Sequence, residues 1–395
     1  MPPWGAGPQG LGGAMSTPRF RVWFGDAEAS EDDLARIEEI EVTQEIDKFW
    51  EARIRTTMCL DAQGHWQHRS DTVAAAFTRM RVELDAGNGT FVPLIDGPVT
   101  SFDSRMDSQP GRSTATFVVR DDSVFLNRDE GTEVFRDKTD SQVADELLRS
   151  VDAIDDTRIE ATSATHAISS RRGTKLRCLS ELARANERRV FVLPGPEPGK
   201  SIGCFLSDPR QAEGDLPALT LIGDARNLGD ATIEEDSESP ERTSAQRLRI
   251  ADGALASFQT SAADLGVGGD RPALPADLTP LRLLPPADAT REDPQAAASG
   301  RARQSGYAYK LSSRVIPGCY AAALQPHRRV RIECGDTPYS GDWLLAKVVH
   351  RITPSIYTQS FEAWGDAGTE VSAAPVAEAT GGGLSLSFSA SVGVF

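Results

Sequence analysis

The segment from Gly195 to Ser201 has the residue types of a phosphate-binding loop. It reads Gly-Pro-Glu-Pro-Gly-Lys-Ser, with three residues between its first glycine and the Gly-Lys-Ser. A phosphate-binding loop has four residues there, so that successive backbone amides surround the phosphate. Two of the three are prolines, which have no amide proton to donate, and no helical pattern follows Ser201. We therefore interpret the segment as a turn in contact with solvent.

Two histidines at a spacing of three, His65 and His68, are the one local pair that could hold a metal. The neighbouring Gly64 and Trp66 argue against a helix that would present both rings on one face. No carboxylate or thiol at ligand spacing completes the site. We therefore expect a hairpin tip here, with no metal-binding residue and no cofactor-binding residue in the chain.

Cysteine spacing indicates neither a disulfide framework nor a zinc site. The chain has five cysteines, an odd number at wide spacing, and none forms a Cys-x-x-Cys pair. Such residues are typical of small buried hydrophobic side chains in a reducing compartment. The five are Cys59, Cys178, Cys204, Cys319 and Cys334.

Catalytic patterns are equally sparse. The Gly-x-Ser-x-Gly pattern occurs once, at Gly199–Gly203, but no helical pattern follows Ser201, so the strand-turn-helix context of a nucleophile motif is missing. Paired carboxylates are abundant, but a glycosidase needs two of them in an aromatic-lined cleft, and no aromatic residues surround these clusters. We interpret them as solvated loop charge or as an electronegative wall, and we predict no catalytic residue, so that the chain is not an enzyme. The clusters are Glu31-Asp32-Asp33, Asp121-Asp122, Asp155-Asp156 and Glu234-Glu235-Asp236.

Composition limits the partners. Among 395 residues, 42 basic and 58 acidic side chains give a formal charge of −16, which repels phosphate backbones and argues against nucleic-acid binding. The Gly- and Pro-rich start lacks the basic and apolar regions of a signal peptide, and no apolar run is long enough for a transmembrane helix. We therefore expect synthesis in the cytoplasm.

Period-two alternation predicts strands in the first third of the chain. It is clearest at Phe20–Phe24 and from Trp50 to Leu60, where every second residue is apolar or small. Further short strands are expected at Phe91–Ile95, Val99–Phe102 and Thr114–Val119, separated by turns that include Gly97-Pro98.

The period then changes to that of a helix. Asp140 is a candidate N-cap for a helix carrying Val143 and Leu147, and Thr174 is one for a second helix, which a strand at Arg189–Leu193 follows. Strand patterns return after Ala218 and are clearest at 330–334, 343–352 and 356–364. The last two carry apolar residues on both faces, so we expect them to be covered on both sides.

These patterns predict an α+β, mainly β fold with two small antiparallel β-barrel domains and an inserted helix-and-strand subdomain. Residues 99–121 and 348–366 follow a similar order of strand, turn and strand, which fits either two related barrels or ordinary β-structure. The expected parts are a flexible leader (1–18), a first barrel (19–120), the mixed subdomain (121–205), a second barrel (206–265 and 310–366), a Pro-rich excursion with a helix (266–309) and a Gly/Ser-rich tail (367–395).

The order of these parts resembles a known family. It is similar to the contractile-tail baseplate hubs, the late control protein D group, which also forms the N-terminal hub region of the VgrG spike proteins of type VI secretion. The segments that carry the resemblance are 20–25, 40–42, 140–144, 173–186, 190–192, 324–332, 340–343, 348–350 and 357–361. The chain departs from the family pattern at Thr174-Lys175-Leu176, where many members have Thr-Asp-Trp.

The resemblance implies a structural role without catalysis. Three copies would form a homotrimeric ring with six barrel positions, joining a six-fold inner tube protein to a three-fold spike among other baseplate components. The sequence stops before any oligonucleotide-fold or β-helix region, so the spike is expected to be a separate chain. An acidic lumen would repel DNA or acidic cargo. The alternative is a β-rich, tail-associated hydrolase acting on cell-wall polymers.

Overall fold

Strands make up most of the regular structure, so the fold class is α+β and mainly β, as predicted. A computed structural model describes residues 17–60, 63–66, 76–248, 253, 255–265, 271–272, 274–275, 277–284 and 294–368. None of the helices in these segments is long and apolar enough to cross a membrane. His68, the leader to residue 16, the tail from residue 369 and much of the Pro-rich excursion lie outside the described residues.

The first part of the chain forms a curled antiparallel sheet around one core. Alternation along β4 buries Ala52 and Ile54 while Arg53 and Arg55 are exposed, as predicted; of the residues expected on the buried face, Leu60 is exposed. The elements are β1 (Arg19–Phe24), β2 (Ala27–Glu28), α1 (Glu31–Ala35), β3 (Ile37–Glu45), β4 (Glu51–Thr57), β5 (Arg79–Asp85), β6 (Val92–Arg105) and β7 (Thr114–Arg120).

The predicted turn at Gly97-Pro98 is wrong, because β6 runs through it as one long strand. Residues before this point pair with β5, and those after it pair with β7. A Cβ atom on Gly97 would lie 1.9 Å from the carbonyl oxygen of Arg120. The glycine therefore permits a close backbone approach where the strand bends between its two partners.

The mixed subdomain packs two helices against short strands. Thr174 caps α4 as predicted, with its hydroxyl accepting from the Arg177 amide at 3.2 Å. The cap of α3 is Thr139 and not Asp140, because Thr139 and Gln142 form a reciprocal capping box. The elements are α2 (Ser123–Leu126), β8 (Glu130–Thr139), α3 (Asp140–Arg149), β9 (Ile154–Ile159), β10 (Thr165–Thr174), α4 (Lys175–Ala185), β11 (Arg189–Pro194) and β12 (Ser201–Leu206).

The last part of the chain adds a second β region and a small satellite sheet. Trp343, Leu344, Leu345 and Ala346 are consecutive and all buried, so this part of the strand at 341–352 is covered on both faces as predicted. The prediction is wrong for the end of that strand, where Arg351 is exposed, and for the strand at 357–365, where Ser360 and Glu362 are exposed. The elements are β13 (Leu219–Thr220), β14 (Leu228–Glu235), β15 (Arg242–Leu248), β16 (Leu255–Ser261), β17 (Arg271–Pro272), β18 (Leu281–Leu283), α5 (Pro294–Ser305), β19 (Tyr309–Val315), β20 (Arg329–Glu333), β21 (Gly341–Ile352), β22 (Tyr357–Gly365) and β23 (Ala367–Gly368).

The two predicted barrel regions have separate hydrophobic cores but share one 13-stranded sheet. Its main path through the described residues is β14-β19-β22-β21-β3-β4-β7-β6-β5-β1-β2, with β20 and β13 branching from β21. The link is the antiparallel pairing of β21 with β3, which runs from Lys347 opposite Glu45 to Ile352 opposite Ile40. Strands distant in sequence thus join the two cores.

Candidate functional site

The continuous sheet presents one polar face, formed by the outward side chains of β22, β21, β3 and β4. Lys347 on β21 pairs with Glu362 on β22 at 3.1 Å. Arg351 on β21 pairs with Glu39 at 2.7 Å and with Glu41 at 2.9 Å, both on β3. Cross-strand ion pairs therefore run over the join between the two barrel regions.

Arg55 on β4 continues this polar face by pairing with Glu38 at 2.9 Å. Exposed pairs of this kind contribute about 0–1 kcal/mol each, so their main effect is to keep the surface charged and hydrated. Cations and carboxylates are interleaved here, so the net charge of −16 is not concentrated on this face.

A buried ionic cluster ties the first barrel region to the mixed subdomain. Arg81 on β5 has a side chain that is 2 % exposed and donates to Asp96 at 3.1 Å and to Glu83 at 2.8 Å. The nitrogen that binds Asp96, Nη1, also donates to two backbone carbonyls of the 195–201 loop, those of Gly195 at 2.7 Å and Glu197 at 3.1 Å, and Nη2 donates to the Pro196 carbonyl at 3.2 Å. A buried charge is tolerated when its hydrogen bonds are satisfied in this way.

Arg79 extends this cluster by two residues along the same strand. Its guanidinium donates to Asp122 at 2.9 and 2.6 Å and to Asp96 at 2.8 Å. Burial opposes the charge, but the bonds to Asp122 and Asp96 outweigh it and raise the pKa of Arg79. The Ser201 hydroxyl also donates to Asp122 at 2.5 Å, which links β12 to the end of β7.

The 195–201 loop is therefore a turn, but it is not only a solvent turn. Its carbonyl oxygens point at the Arg81 guanidinium, whereas a phosphate-binding loop points its amides at an anion. One amide, that of Gly199, does point inward, and it donates to the Asp96 carboxylate at 2.9 Å. The loop surrounds the Arg81 guanidinium and the Asp96 carboxylate, and it thereby connects the mixed subdomain to the first barrel region.

Asp121 and Asp122 were expected in solvent, and this expectation is wrong, since both are buried. Asp121 accepts from the Trp50 amide at 2.5 Å and from the Ser123 amide at 2.8 Å. Burial raises the pKa of Asp121 to about 6, even though its hydrogen bonds favour the carboxylate. Arg79 is the partner of Asp122 in space but lies 43 positions away in the sequence, so no local pattern predicts the pair.

A cleft of about 590 Å³ opens beside this cluster, between the β3–β4 turn, α4, β11 and α5. Arg189 in its wall pairs with Asp47 at 2.7 Å and with Asp208 at 3.3 Å. Arg120 pairs with Glu51 at 3.1 Å. Both of these cations therefore already have carboxylate partners.

Two histidines are enclosed near the join between the regions. His350 is fully buried, and its Nδ1 atom forms a hydrogen bond of 2.9 Å with the Tyr357 hydroxyl. His327 has a backbone φ of 64° and stacks on Phe191 with 3.6 Å between ring centroids, and both of its ring nitrogens are buried. Burial lowers the pKa of His327 to about 3 and that of His350 to about 4.

The remaining sequence candidates are dispersed. His65 is exposed, while its partner in the proposed pair lies outside the described residues. Among the described residues, no three His, Cys, Asp or Glu side chains are arranged to hold a metal ion. Cys178, Cys204 and Cys334 are buried as predicted, but Cys59 and Cys319 are exposed. Glu31, Asp32 and Asp33 form the first turn of α1 under a Ser30 cap.

No protein-family model matches the chain, and no curated protein is similar to it in sequence. Solved structures are similar in fold. A 43 kDa tail protein of prophage MuSo2 from Shewanella oneidensis aligns over 89 % of this chain and 100 % of its own, with a TM-score of 0.62 and 13 % identity. A tail protein from Neisseria meningitidis aligns over 89 % and 97 %, with a TM-score of 0.58 and 13 % identity.

An Escherichia coli component of the type VI secretion system, described as structurally similar to bacteriophage T4 tail proteins, aligns over 83 % of this chain and 73 % of its own, with a TM-score of 0.53 and 11 % identity. The alignments span both barrel regions and the mixed subdomain between them. The chain therefore has the fold that these phage tail proteins share with a type VI secretion component, as the resemblance in its sequence predicted.

Proposed function

We propose that the chain is a structural baseplate hub of a contractile tail or injection particle and that it acts without catalysis. The observation that carries this proposal is the single sheet that joins two barrel-like regions through β3 and β21. One rigid chain then supplies two similar positions in a ring. Three chains supply six, which matches a six-fold tube on one side and a three-fold spike on the other.

The ends of the sheet support assembly with further copies. Within the described residues, β14 lies at one end of the main strand path and β2 at the other. Edge strands have backbone groups available for pairing with a neighbouring chain. A homotrimer in which neighbouring copies meet near these edges would form a closed ring, as symmetric oligomers commonly do.

The polar face fits the inner wall of such a ring. Ion pairs such as Arg351–Glu41 and Lys347–Glu362 cover the strands on which both barrel regions meet. A wall of this composition exposes few apolar side chains to cargo. We expect its partners to be a separate spike protein, an inner tube protein and other baseplate components, after assembly in a bacterial cytoplasm.

Native mass spectrometry of the purified chain, alone and with the co-expressed spike and tube proteins, tests the proposal. Three copies of a 42.5 kDa chain give a mass of about 128 kDa. A trimer that binds the spike at one end and the tube at the other supports the hub. A chain that stays monomeric with both partners present contradicts it, and hydrolysis of cell-wall polymers by that monomer would establish the alternative.

A further inference from the structure

Strands β8 and β10 form a two-stranded ribbon that is separate from the main sheet. Among the described residues each of the two strands pairs only with the other, and the chain on both sides of them, from 76 to 248, is described throughout. Phe135 on β8 is buried in a core with residues of α3 and α4, so one face of the ribbon is covered. The opposite face is open to contact with a partner.

Six side chains on this opposite face are all exposed, and we call them the outer ribbon face. They form three consecutive outward cross-strand pairs: Arg136 with Ile168, Val134 with Ser170, and Thr132 with Arg172. Because successive pairs are two residues apart, the six side chains point to the same side of the ribbon. Val134 and Ile168 are diagonal neighbours and are 56 % and 64 % exposed. Neighbouring exposed aliphatic side chains rimmed by polar residues are typical of an interaction surface.

Two arginines lie at diagonal corners of the outer ribbon face. Among the described residues, the guanidinium groups of Arg136 and Arg172 form no ion pair. Arg171, which points to the covered side, does pair with Asp140, at 3.6 Å. Glu130 follows on the outer side beyond Arg172 and pairs with neither arginine. In a chain with a formal charge of −16, this face is therefore a local site of uncompensated positive charge.

The spacing of the two arginines matches the repeat of an extended polypeptide. Their cross-strand pairs are four residues apart along the ribbon, which corresponds to about 13 Å. In an extended segment, side chains at positions i and i+4 point the same way at this same distance, with position i+2 between them. A helix returns to the same face after about 7 or 11 residues, at roughly 10 or 16 Å, and matches the spacing less well.

Charge indicates which class of partner fits this face. An anionic membrane or a nucleic acid extends well beyond the ribbon and meets the net charge of −16 of the whole chain. A short acidic segment is attracted by the local arginines, because exposed charges more than about 8 Å away are largely screened at physiological salt. Guanidinium groups also match carboxylates in geometry, since each can bind two oxygens at once.

We propose that the outer ribbon face binds an extended segment of a partner protein in which two acidic residues, four positions apart, flank an aliphatic residue. The two carboxylates pair with Arg136 and Arg172, and the aliphatic side chain packs against Val134 and Ile168. This inference goes beyond the proposed hub function and does not depend on it, because each chain makes the contact by itself.

Methyl NMR of the full chain, labelled at its isoleucine and valine methyl groups, tests the proposal. The probe is the capped heptapeptide Thr-Glu-Thr-Val-Thr-Glu-Thr. We expect the methyl signals of Ile168 and Val134 to shift to saturation, while that of Ile222, which is 64 % exposed in the second barrel region, stays in place. The control peptide Glu-Thr-Thr-Val-Thr-Thr-Glu has the same composition with its glutamates six positions apart, and it should bind at least about fivefold more weakly.

Charge reversal tests the role of the arginines in the same titration. The double substitution Arg136→Glu with Arg172→Glu should weaken binding of the first peptide at least about tenfold, because it replaces two attractions with two repulsions. Arg112→Glu is the matched control, since it reverses an exposed arginine in the turn between β6 and β7. It should change the affinity by less than about twofold.

The proposal is overturned if the first peptide shifts neither Ile168 nor Val134, or if the two peptides bind equally well. Equal binding by the doubly substituted chain and the Arg112→Glu chain would also overturn it. Two further titrations identify a different occupant. If the two methyl signals move only on dilution of the chain, a second copy covers the face; if they change only with phosphatidylglycerol vesicles, the face binds a membrane. Either result makes the assignment to an acidic segment wrong.

Discussion

Arg81 and Asp96 face each other inside the fold, with Nη1 of the arginine 3.1 Å from Oδ2 of the aspartate and both side chains at most 2 % exposed. Arg81 comes from β5 and Asp96 from β6, and both bind the 195–201 loop of the mixed subdomain. This pair is therefore one of the points at which the first barrel region and the inserted subdomain are fixed to each other.

Replacing Arg81 with Met should destabilise the protein by about 3–5 kcal/mol, because it leaves the buried Asp96 without this cation and three loop carbonyls without their donor. Urea unfolding measures the loss. Arg55→Gln is the matched control, since it removes an exposed pair with Glu38 and should change the free energy of unfolding by less than about 1 kcal/mol. Equal effects of the two substitutions would contradict the role of the buried cluster.

Gly97→Ala should prevent folding or destabilise the protein by about 3 kcal/mol or more, because the added methyl group would meet the Arg120 carbonyl at 1.9 Å. The backbone would have to separate where β6 changes partners. Gly131→Ala is the control, since a Cβ atom there has no neighbour within 4 Å. Thermal unfolding of the two variants provides the comparison, and a Gly97→Ala protein with unchanged stability would exclude the tight strand crossing.

Asp121 should make the protein less stable as pH rises through the range of about 4 to 6. Its pKa is about 6 in the folded protein and about 4 in an unfolded chain, so the folded state holds the proton more tightly. The stabilisation is complete below pH 4 and is lost as pH approaches 6, with a total change of up to about 3 kcal/mol. Asp121→Asn should remove this trend from denaturation curves measured between pH 4 and 7.

Titration of His327 should have the opposite effect and make the protein less stable as pH falls. Its pKa is about 3 in the folded protein and about 6.5 in the unfolded chain, so acidification below pH 6.5 protonates the unfolded state first and lowers the free energy of unfolding. His327→Asn tolerates the backbone φ of 64° and removes the titration. We expect it to reduce stability at pH 7 by about 1 kcal/mol through loss of the stacking on Phe191, but to flatten the decline between pH 6.5 and 4.

An unchanged acid response in the His327 variant would show that this imidazole is accessible to protons in the folded protein. His350→Gln offers the second comparison, because burial also lowers the pKa of His350, to about 4.

The sequence predicts elements whose signals are local. Thr174 is the cap of α4 because its hydroxyl and the amide it binds are three residues apart, and β4 alternates because one of its faces is exposed. Strand β5 is not predicted from the sequence, because Arg81, Glu83 and Asp85 are charged and yet buried. Their partners include residues up to 116 positions away in the chain, and no local pattern predicts such contacts.

The candidate site could not be predicted from the sequence for the same reason. Asp122 finds Arg79 and Ser201 only after β5, β7 and β12 have met. The Gly97-Pro98 pair has the composition of a turn, and only the neighbouring Arg120 carbonyl shows why an uninterrupted strand needs a glycine there. The order of the elements along the chain carries more of the functional information than any single motif does.

In the function we propose, three copies of this chain form a ring between a tube and a spike. The most direct measurement is to purify particles from the native host through a tagged copy of the chain, image them by cryo-electron microscopy and count copies by quantitative mass spectrometry. We expect three copies per sheathed particle, placed between a six-fold tube and a separate three-fold spike. A tagged chain recovered as a free monomer from cells that produce such particles would contradict it.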